Sequence, residues 1–329
     1  MNADDFGSVA RVTEESTSGR FFLSVLAGIA IVLLAGIQTV MAQADPWQKL
    51  QDEGAKAVAE NRLADAEKIL TDALKYAEAK DAALIAPSIN NLALVLENQG
   101  RYADAEPLYR RAVAVLEVVE SPDHPSVAQT LHNLGVCLDA QGRFADAEAV
   151  YRRSLGIREK KSPDSPFAAD SLNNLGVDLY LQGKNVEAEP LLRRALAIRE
   201  NFFKSDGPFV VQSLSNLATL CYSQGRYADA EPLYRRAYVA MQTFPDADPI
   251  EVATTMNNLA TCSTAQKRYS EAEPLFQKAL AERERLLGKN HRDVAETLRA
   301  YSTLLTATGR SQQAAVFEER AKAIRAASP

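Results

Sequence analysis

The sequence predicts an all-α protein, an α-solenoid of about seven helical hairpins, and three observations carry that prediction. The first is periodicity. Within residues 213–237, Leu214, Leu217 and Cys221 share one helical stripe, Gly225 interrupts it, and Ala230, Leu233, Tyr234 and Ala237 form a second. The second is repetition: Asn216 of that unit recurs as Asn91, Asn133, Asn174 and Asn258, at spacings of 42, 41, 42 and 42 residues. The third is a small residue at the close approach of two antiparallel helices. Each Asn-Leu word is followed by Ala93, Gly135, Gly176, Ala218 or Ala260, and the second helix answers with Ala105, Ala147, Ala188, Ala230 or Ala272. A hairpin with an apolar stripe on each helix cannot bury both alone, so the copies must stack. Such a stack needs no single core, and a length of 329 residues therefore does not imply two domains.

In chain order, residues 1–20 are polar and lack a helical period, which reads as a disordered leader. The run from Phe21 to Ile37 carries no charge, with Arg20 at its entrance and Ala42-Gln43-Ala44 beyond its exit. That is the pattern of a secretory signal peptide, cleaved after Ala44. Extended through Ala42 the run approaches the ~20 residues that span a bilayer, so an uncleaved membrane anchor is the alternative. Either way the repeats are expected outside the cytoplasm, periplasmic, secreted or anchored at an inner membrane, and membrane contact is expected only through residues 21–42.

A worn first copy follows at about 46–80. Its RLADAEKIL, from Arg62 to Leu70, matches RYADAEPLY, from Arg101 to Tyr109, but the Asn-Leu word is missing. Full repeats fill about 82–290. A degenerate C-terminal cap takes about 291–327, where Ala300 replaces the Asn while Gly309, Arg310 and Ala314 keep the register. Terminal copies depart from the rest because one of their faces meets water; for that reason Leu70→Ala is expected to cost less than Leu217→Ala. Pro125, Pro166, Pro208 and Pro249 each open a first helix, where a missing N–H is harmless. Ser165 and Asp248 stand before two of them as N-caps. Gly100, Gly142, Gly183 and Gly225 supply the left-handed residue of each turn. Lys267 stands in the same place, which costs about 1 kcal/mol and predicts a looser or reshaped turn there.

The words NNLA or NLG, then QGRY, then AEPLYRRA, then DHP before the next helix resemble the tetratricopeptide repeat, in the longer form found in kinesin light chain and many bacterial proteins. The resemblance covers about 46–327. It implies a right-handed superhelix whose first helices line a concave groove that binds peptides or extended partner segments. It does not imply a motor function, since no heptad segment is present by which to join a motor.

Chemistry is scarce in this sequence. His124 and His291 lie in linkers and His132 on a first helix, without the spacing of a metal pair. No nucleophile elbow, phosphate loop or paired-carboxylate motif stands out, so no catalysis, cofactor or metal is expected. Cys137, Cys221 and Cys262 read as small buried hydrophobes in separate repeats. The net charge of −6 gives no footprint for nucleic acid. The Arg pairs Arg110-Arg111, Arg152-Arg153, Arg193-Arg194 and Arg235-Arg236 are one candidate rail for an anionic partner. Glu106, Glu148, Glu189 and Glu231, four residues before the first Arg of each pair, favour a self-neutralised solvated face instead.

What remains is the first-helix face, formed by residues four before, at, three after and seven after each Asn. From the second to the fifth Asn these are Gln129, Asn133, Val136 and Ala140; Asp170, Asn174, Val177 and Leu181; Gln212, Asn216, Thr219 and Ser223; and Thr254, Asn258, Thr261 and Ala265. None is Lys or Arg, so the acidic ligands favoured by related grooves do not suit it, and a neutral to mildly basic extended peptide does. Candidate binding residues are Asn91, Asn133, Asn174, Asn216 and Asn258, with the variable Gln129, His132, Asp170, Gln212, Ser215, Thr219 and Thr261. Two readings of the Asn ladder stand. In one it grips a peptide backbone. In the other it is buried between helices and bonds the backbone of the preceding linker. Gln212 and Thr219 are expected to face open solvent. The non-catalytic binding module has two rivals: a membrane-anchored, self-associating assembly factor, and a helical enzyme whose pocket would gather Asp170, Asp178 and His132.

Overall fold

The structure is a computed structural model that describes residues 45–203, 206–244 and 247–327. The signal peptide or anchor expected within residues 1–44 lies outside the described residues. Among the described residues no helix is long and apolar enough to cross a membrane.

Fourteen helices and no strand account for the described residues. They are α1 (Pro46–Ala59), α2 (Leu63–Lys80), α3 (Ala82–Asn98), α4 (Tyr102–Val119), α5 (Pro125–Asp139), α6 (Phe144–Lys161), α7 (Pro166–Leu181), α8 (Asn185–Phe203), α9 (Pro208–Ser223), α10 (Tyr227–Met241), α11 (Pro249–Ala265), α12 (Tyr269–Leu287), α13 (Arg292–Ala307) and α14 (Ser311–Ala327). Odd-numbered helices are the first helices of hairpins and even-numbered ones the second. The chain divides into two compact units, the first ending at Leu191 and the second beginning at Leu192.

In unit 1 the apolar stripes meet as the repeat pattern requires. Leu70 and Leu74 of α2, Ile89 and Leu92 of α3, Val113 and Leu116 of α4, and Val127 and Leu131 of α5 join one buried cluster. The small residues sit at helix crossings. A Cβ on Gly135 would meet the Tyr151 ring at 2.4 Å, and one on Gly54 would meet Leu70 Cδ2 at 2.5 Å. Gly54 therefore keeps the close approach in the first copy, although that copy lacks the Asn-Leu word. Leu70 is 2 % exposed, as is Leu217. The two side chains are thus equally buried, and burial alone gives no reason for a smaller loss at Leu70.

In unit 2, Ala260, Phe276, Tyr301 and Leu304 form one cluster, and Val294, Leu298, Ala321 and Ile324 another. Leu214, Leu217, Cys221, Ala230, Tyr234 and Ala237 are all buried, while Leu233 is only half-buried. All three cysteines are free and buried.

The turns and starts follow the local chemistry. Pro166 and Pro249 open α7 and α11, and Ser165 and Asp248 accept from the backbone N–H of Ala168 and Ile250. His124 and His291 prove to be N-caps as well, their Nδ1 accepting from Ser126 N at 3.3 Å and Asp293 N at 3.2 Å. Lys267 takes the left-handed conformation at φ 62°, close to Gly225 at 72°. Its turn keeps the same bonds: Lys267 N donates to Thr264 O at 2.9 Å and Arg268 N to Ser263 O at 2.8 Å, matching Gly225 N to Tyr222 O and Arg226 N to Cys221 O, both at 2.9 Å. The looser turn expected there does not occur, because nothing lies within 4 Å of a Cβ at Gly225 and the position demands only the dihedral.

Candidate functional site

On the first-helix face of unit 1, the Asn side chains are half-buried and reach side chains rather than linker backbone. Asn91 Nδ2 donates to Gln51 Oε1 at 2.6 Å, so the first copy supplies the partner of the first Asn. Arg158 Nη2 donates to Gln129 Oε1 at 2.9 Å, and Gln129 Nε2 donates to Asn133 Oδ1 at 2.9 Å. Asn174 donates to the Tyr151 oxygen of the preceding hairpin and accepts from Asn173 Nδ2 at 3.3 Å.

In unit 2 the Tyr contact recurs. Asn258 Nδ2 donates to Tyr234 Oη at 3.3 Å, and Thr219 Oγ1 shares a 2.9 Å hydrogen bond with the same oxygen. At the last junction both partners change together: Phe276 replaces the Tyr and Ala300 replaces the Asn. Asn216 is half-buried, and Leu192 stands where three other hairpins have Tyr109, Tyr151 and Tyr234. At Asn91, Asn174 and Asn258 these contacts stand in place of the bond to the preceding linker that one reading expected. The geometric reason is that a Tyr hydroxyl from the second helix, about 24 residues earlier, lies within reach of the amide. Gln212 and Thr219 do not face open solvent either, since Gln212 Oε1 accepts from Arg199 Nη1 at 3.1 Å. Ser215 Oγ and Thr261 are also turned inward; the first is buried and the second donates to Asn257 O at 2.9 Å.

Three of the residues considered for an enzymatic pocket are not gathered into one. His132 lies edge-on to the Tyr151 ring with centroids 5.8 Å apart. Asp178 is buried at 1 % exposure and held by Gln182 Nε2 at 3.0 Å. Asp170 lies instead beside the charge of Arg158. Two cavities, of about 640 Å³ and about 260 Å³, lie in unit 2 around Thr306 and Glu318 and around Glu273 and Arg310, away from all three. Among the described residues no three His, Cys, Asp or Glu side chains come together to hold a metal ion.

Two groups of functional character were missed in the sequence. The first is a set of buried arginines at the ends of second helices: Arg158, Arg199 and Arg283, at 8 %, 2 % and 1 % exposure. Arg283 Nη1 donates to Asp293 O and Thr297 Oγ1, both at 2.9 Å, and Nη2 to Thr254 Oγ1 at 2.9 Å. Arg158 donates to Phe167 O and to Ser171 Oγ at 2.9 Å. Burial holds the Arg158 guanidinium down to about 10. Met241 takes the same register, so the signal was a cation recurring on an otherwise apolar stripe.

The second group consists of buried acids in unit 1. Tyr109 Oη donates to Glu97 Oε2 at 2.9 Å, and burial pushes the Glu97 carboxyl up to about 8. Tyr151 Oη donates to Asp139 Oδ2 at 2.7 Å. Burial raises both the Asp139 and the Asp178 carboxyl well above the carboxylate range, and Oδ1 of each is buried without a hydrogen-bond partner.

The arginine pairs outside are neutralised. Arg110, Arg152 and Arg235 pair with Glu106, Glu148 and Glu231 at 2.8, 2.8 and 2.7 Å. The same three glutamates also bind the turn cations of the next repeat, Arg143, Lys184 and Arg268. Arg111, Arg153 and Arg236 reach back to Glu78, Glu117 and Glu200 of the preceding second helix. Each Glu is thus held by two cations; Glu148, bonded by Lys184, Arg152 and Gln182, is lowered to about 2.

A family model described as a tetratricopeptide repeat matches residues 84–160, 167–242 and 251–327. Among solved structures, the chain is similar to BtubC (BKLC) from P. vanneervenii, with 22 % identity over 74 % of this chain and 93 % of that one and a TM-score of 0.58. It is similar also to the apo form of RapI, with 16 % identity over 85 % and 97 % of the two chains and a TM-score of 0.64. A third is PilF of Pseudomonas aeruginosa, with 18 % identity over 73 % and 91 % and a TM-score of 0.54. At these identities the likeness speaks for the fold alone. No curated protein matches the chain.

Proposed function

Because this chain belongs to the tetratricopeptide repeat family, we propose that it is a non-catalytic interaction module that holds an extended segment of a partner protein against its first helices. The observation that carries this reading is the relay from Arg158 through Gln129 to Asn133. The buried guanidinium fixes the Gln129 amide, which in turn occupies Asn133 Oδ1, so a half-exposed Asn133 presents its amide N–H groups outward to a peptide carbonyl. Asp170 on the same face, and the absence of Lys and Arg from its sixteen positions, favour a neutral to mildly basic segment.

Capture of a peptide library on the immobilised repeat region, followed by mapping of what is retained, tests the reading. Asn133→Ala should weaken capture several-fold with the helical melting curve preserved, and Gln129→Ala, which also unpairs the buried Arg158 Nη2, should weaken capture together with a loss of stability. Unchanged capture by both variants would remove the first-helix face as the site. The arrangement of Arg20, the apolar run and Ala42-Gln43-Ala44 supports a repeat region outside the cytoplasm. Mass spectrometry of the native N-terminus distinguishes a mature chain starting at Asp45 from an intact leader in the membrane pellet, and a soluble cytoplasmic full-length chain would defeat both.

A further inference from the structure

The buried guanidinium of Arg158 organises more of unit 1 than the relay through Gln129. It also donates to Phe167 O and to Ser171 Oγ, and its central carbon lies 5.7 Å from the centroid of the Phe167 ring. Phe167 stands seven residues before Asn174, so on α7 it shares the face of Asp170 and Asn174, about one turn beyond the positions singled out in the sequence. A cation braces one side of the ring, and the ring is still 59 % exposed. In unit 2 the equivalent ring is covered. Arg199 donates to Phe209 O at 2.9 Å and lies 5.7 Å from that ring, but Phe203 stacks on it with centroids 5.2 Å apart. Against Arg283 the same position is Asp293, whose backbone oxygen accepts at 2.9 Å. Of the three buried arginines, only Arg158 carries an open ring.

The polar groups beside that ring are unbalanced. Gln129 Oε1 is taken by Arg158, Asn133 Oδ1 by Gln129, and Asn174 Oδ1 by Asn173. What the ladder amides hold out is therefore mainly N–H. An ordinary extended segment carries one N–H for every C=O, and on a donor-rich face its own N–H groups go unpaired, which costs free energy once they are buried. Proline brings the C=O without the N–H.

Resting on the reading of this face as a partner groove, we infer that the segment it holds is proline-bearing: a polyproline II stretch that lays a pyrrolidine ring on Phe167, gives its carbonyls to the amide N–H groups of Asn133 and Asn174, and turns a basic residue toward Asp170. The dimensions agree. From Phe167 to Asn174 the helix rises about 10 Å, and one three-residue turn of polyproline II rises about 9 Å. Half-buried Val136 and Val177, one turn further along α5 and α7, continue the face with apolar surface for the next proline.

Isothermal titration of the full chain tests this with two capped peptides of equal length, one bearing proline at every third position and a single arginine, the other with each proline replaced by alanine. The proline probe should bind several-fold more tightly. Phe167→Ala, at an exposed position, should bring the two probes to similar affinity with the melting curve unchanged, and Asn133→Ala should weaken the proline probe. Equal binding of both probes to the wild type, lost in Asn133→Ala, would overturn the proline inference and leave the groove in place. A proline preference untouched by Phe167→Ala would overturn it as well. Should neither probe bind while the peptide library is still captured, the inference falls alone; should the library fail too, the groove falls with it.

Discussion

The first-helix seams of the two units use one geometry with opposite chemistry. In unit 1 the tyrosines of the second helices, Tyr109 and Tyr151, donate to the carboxyls Glu97 and Asp139. In unit 2, Tyr234 meets only the neutral Thr219 and Asn258, and the place of the acid is taken by the Tyr222 ring, 6.4 Å from that of Tyr234. The packing is equivalent, since Tyr109, Tyr151 and Tyr234 are each at most 1 % exposed. The difference teaches that repeat stacking fixes where a polar group must sit but not whether it can carry charge. Titration therefore belongs to individual junctions rather than to the repeat.

The largest expected effect ignores that difference. Leu172→Ala in unit 1 and Leu217→Ala in unit 2 remove side chains at 0 % and 2 % exposure, and each should lower stability by about 2 to 5 kcal/mol. Calorimetry of both, with Leu70→Ala as a third, should give comparable losses; a much smaller loss for Leu70→Ala would mean that the first copy frays despite its burial.

Next comes pH, where α3 and α11 should part. Glu97 ionises near about 4.3 in the unfolded chain and about 8 in the folded one. Its contribution is therefore fully present below the lower value and is lost as pH rises toward the upper. Hydrogen exchange of α3, corrected for intrinsic rate, should become faster across that window relative to α11, and Glu97→Gln should abolish the trend. Equal behaviour of α3 and α11 would show the Glu97 carboxyl to be ionised throughout.

Tyr151→Phe and Tyr234→Phe sharpen the contrast at the next scale. Removing Tyr151 Oη strips a buried carboxyl of a donor and should cost about 1 to 3 kcal/mol, whereas Tyr234→Phe should cost about 0.5 to 1.5 kcal/mol. Chemical denaturation measures both, and reversal of their order would erase the distinction. The smallest effect should again be common to both units. Arg152→Ala and Arg235→Ala break pairs whose arginines are 47 % exposed, at a cost of roughly 0.2 to 0.5 kcal/mol that shrinks in salt.

The fold was legible because its determinants are local and repeated. Leu214, Leu217 and Cys221 announce a stripe, Pro249 after Asp248 announces a helix start, and the position before Arg268 announces a left-handed turn whatever residue fills it. The candidate face was legible only as a set of positions. Whether Gln129, Gln212 or Thr219 points to solvent depends on Arg158, Arg199 and Tyr234, which come from other helices. Asp178 was visible as the departure from Cys137 and Cys262, but its burial comes from the packing of neighbouring helices. The exchange of Tyr and Asn for Phe276 and Ala300 was written in the sequence too, and becomes meaningful once the hydroxyl and the amide are seen to touch at Tyr234 and Asn258.

The doubly held glutamates bear on how such a chain can lengthen. Glu106, Glu148 and Glu231 each take one cation from their own helix and one from the following turn. Any duplicated stretch of 42 residues therefore carries both an acceptor for its successor and a donor for its predecessor, and would slot into the array without compensating changes. The Asp139 and Asp178 pair behaves in the opposite way. Its two halves lie in consecutive copies, so a unit inserted between them would separate the acids, and the order of the copies matters at that junction as it does where Asn91 meets Gln51.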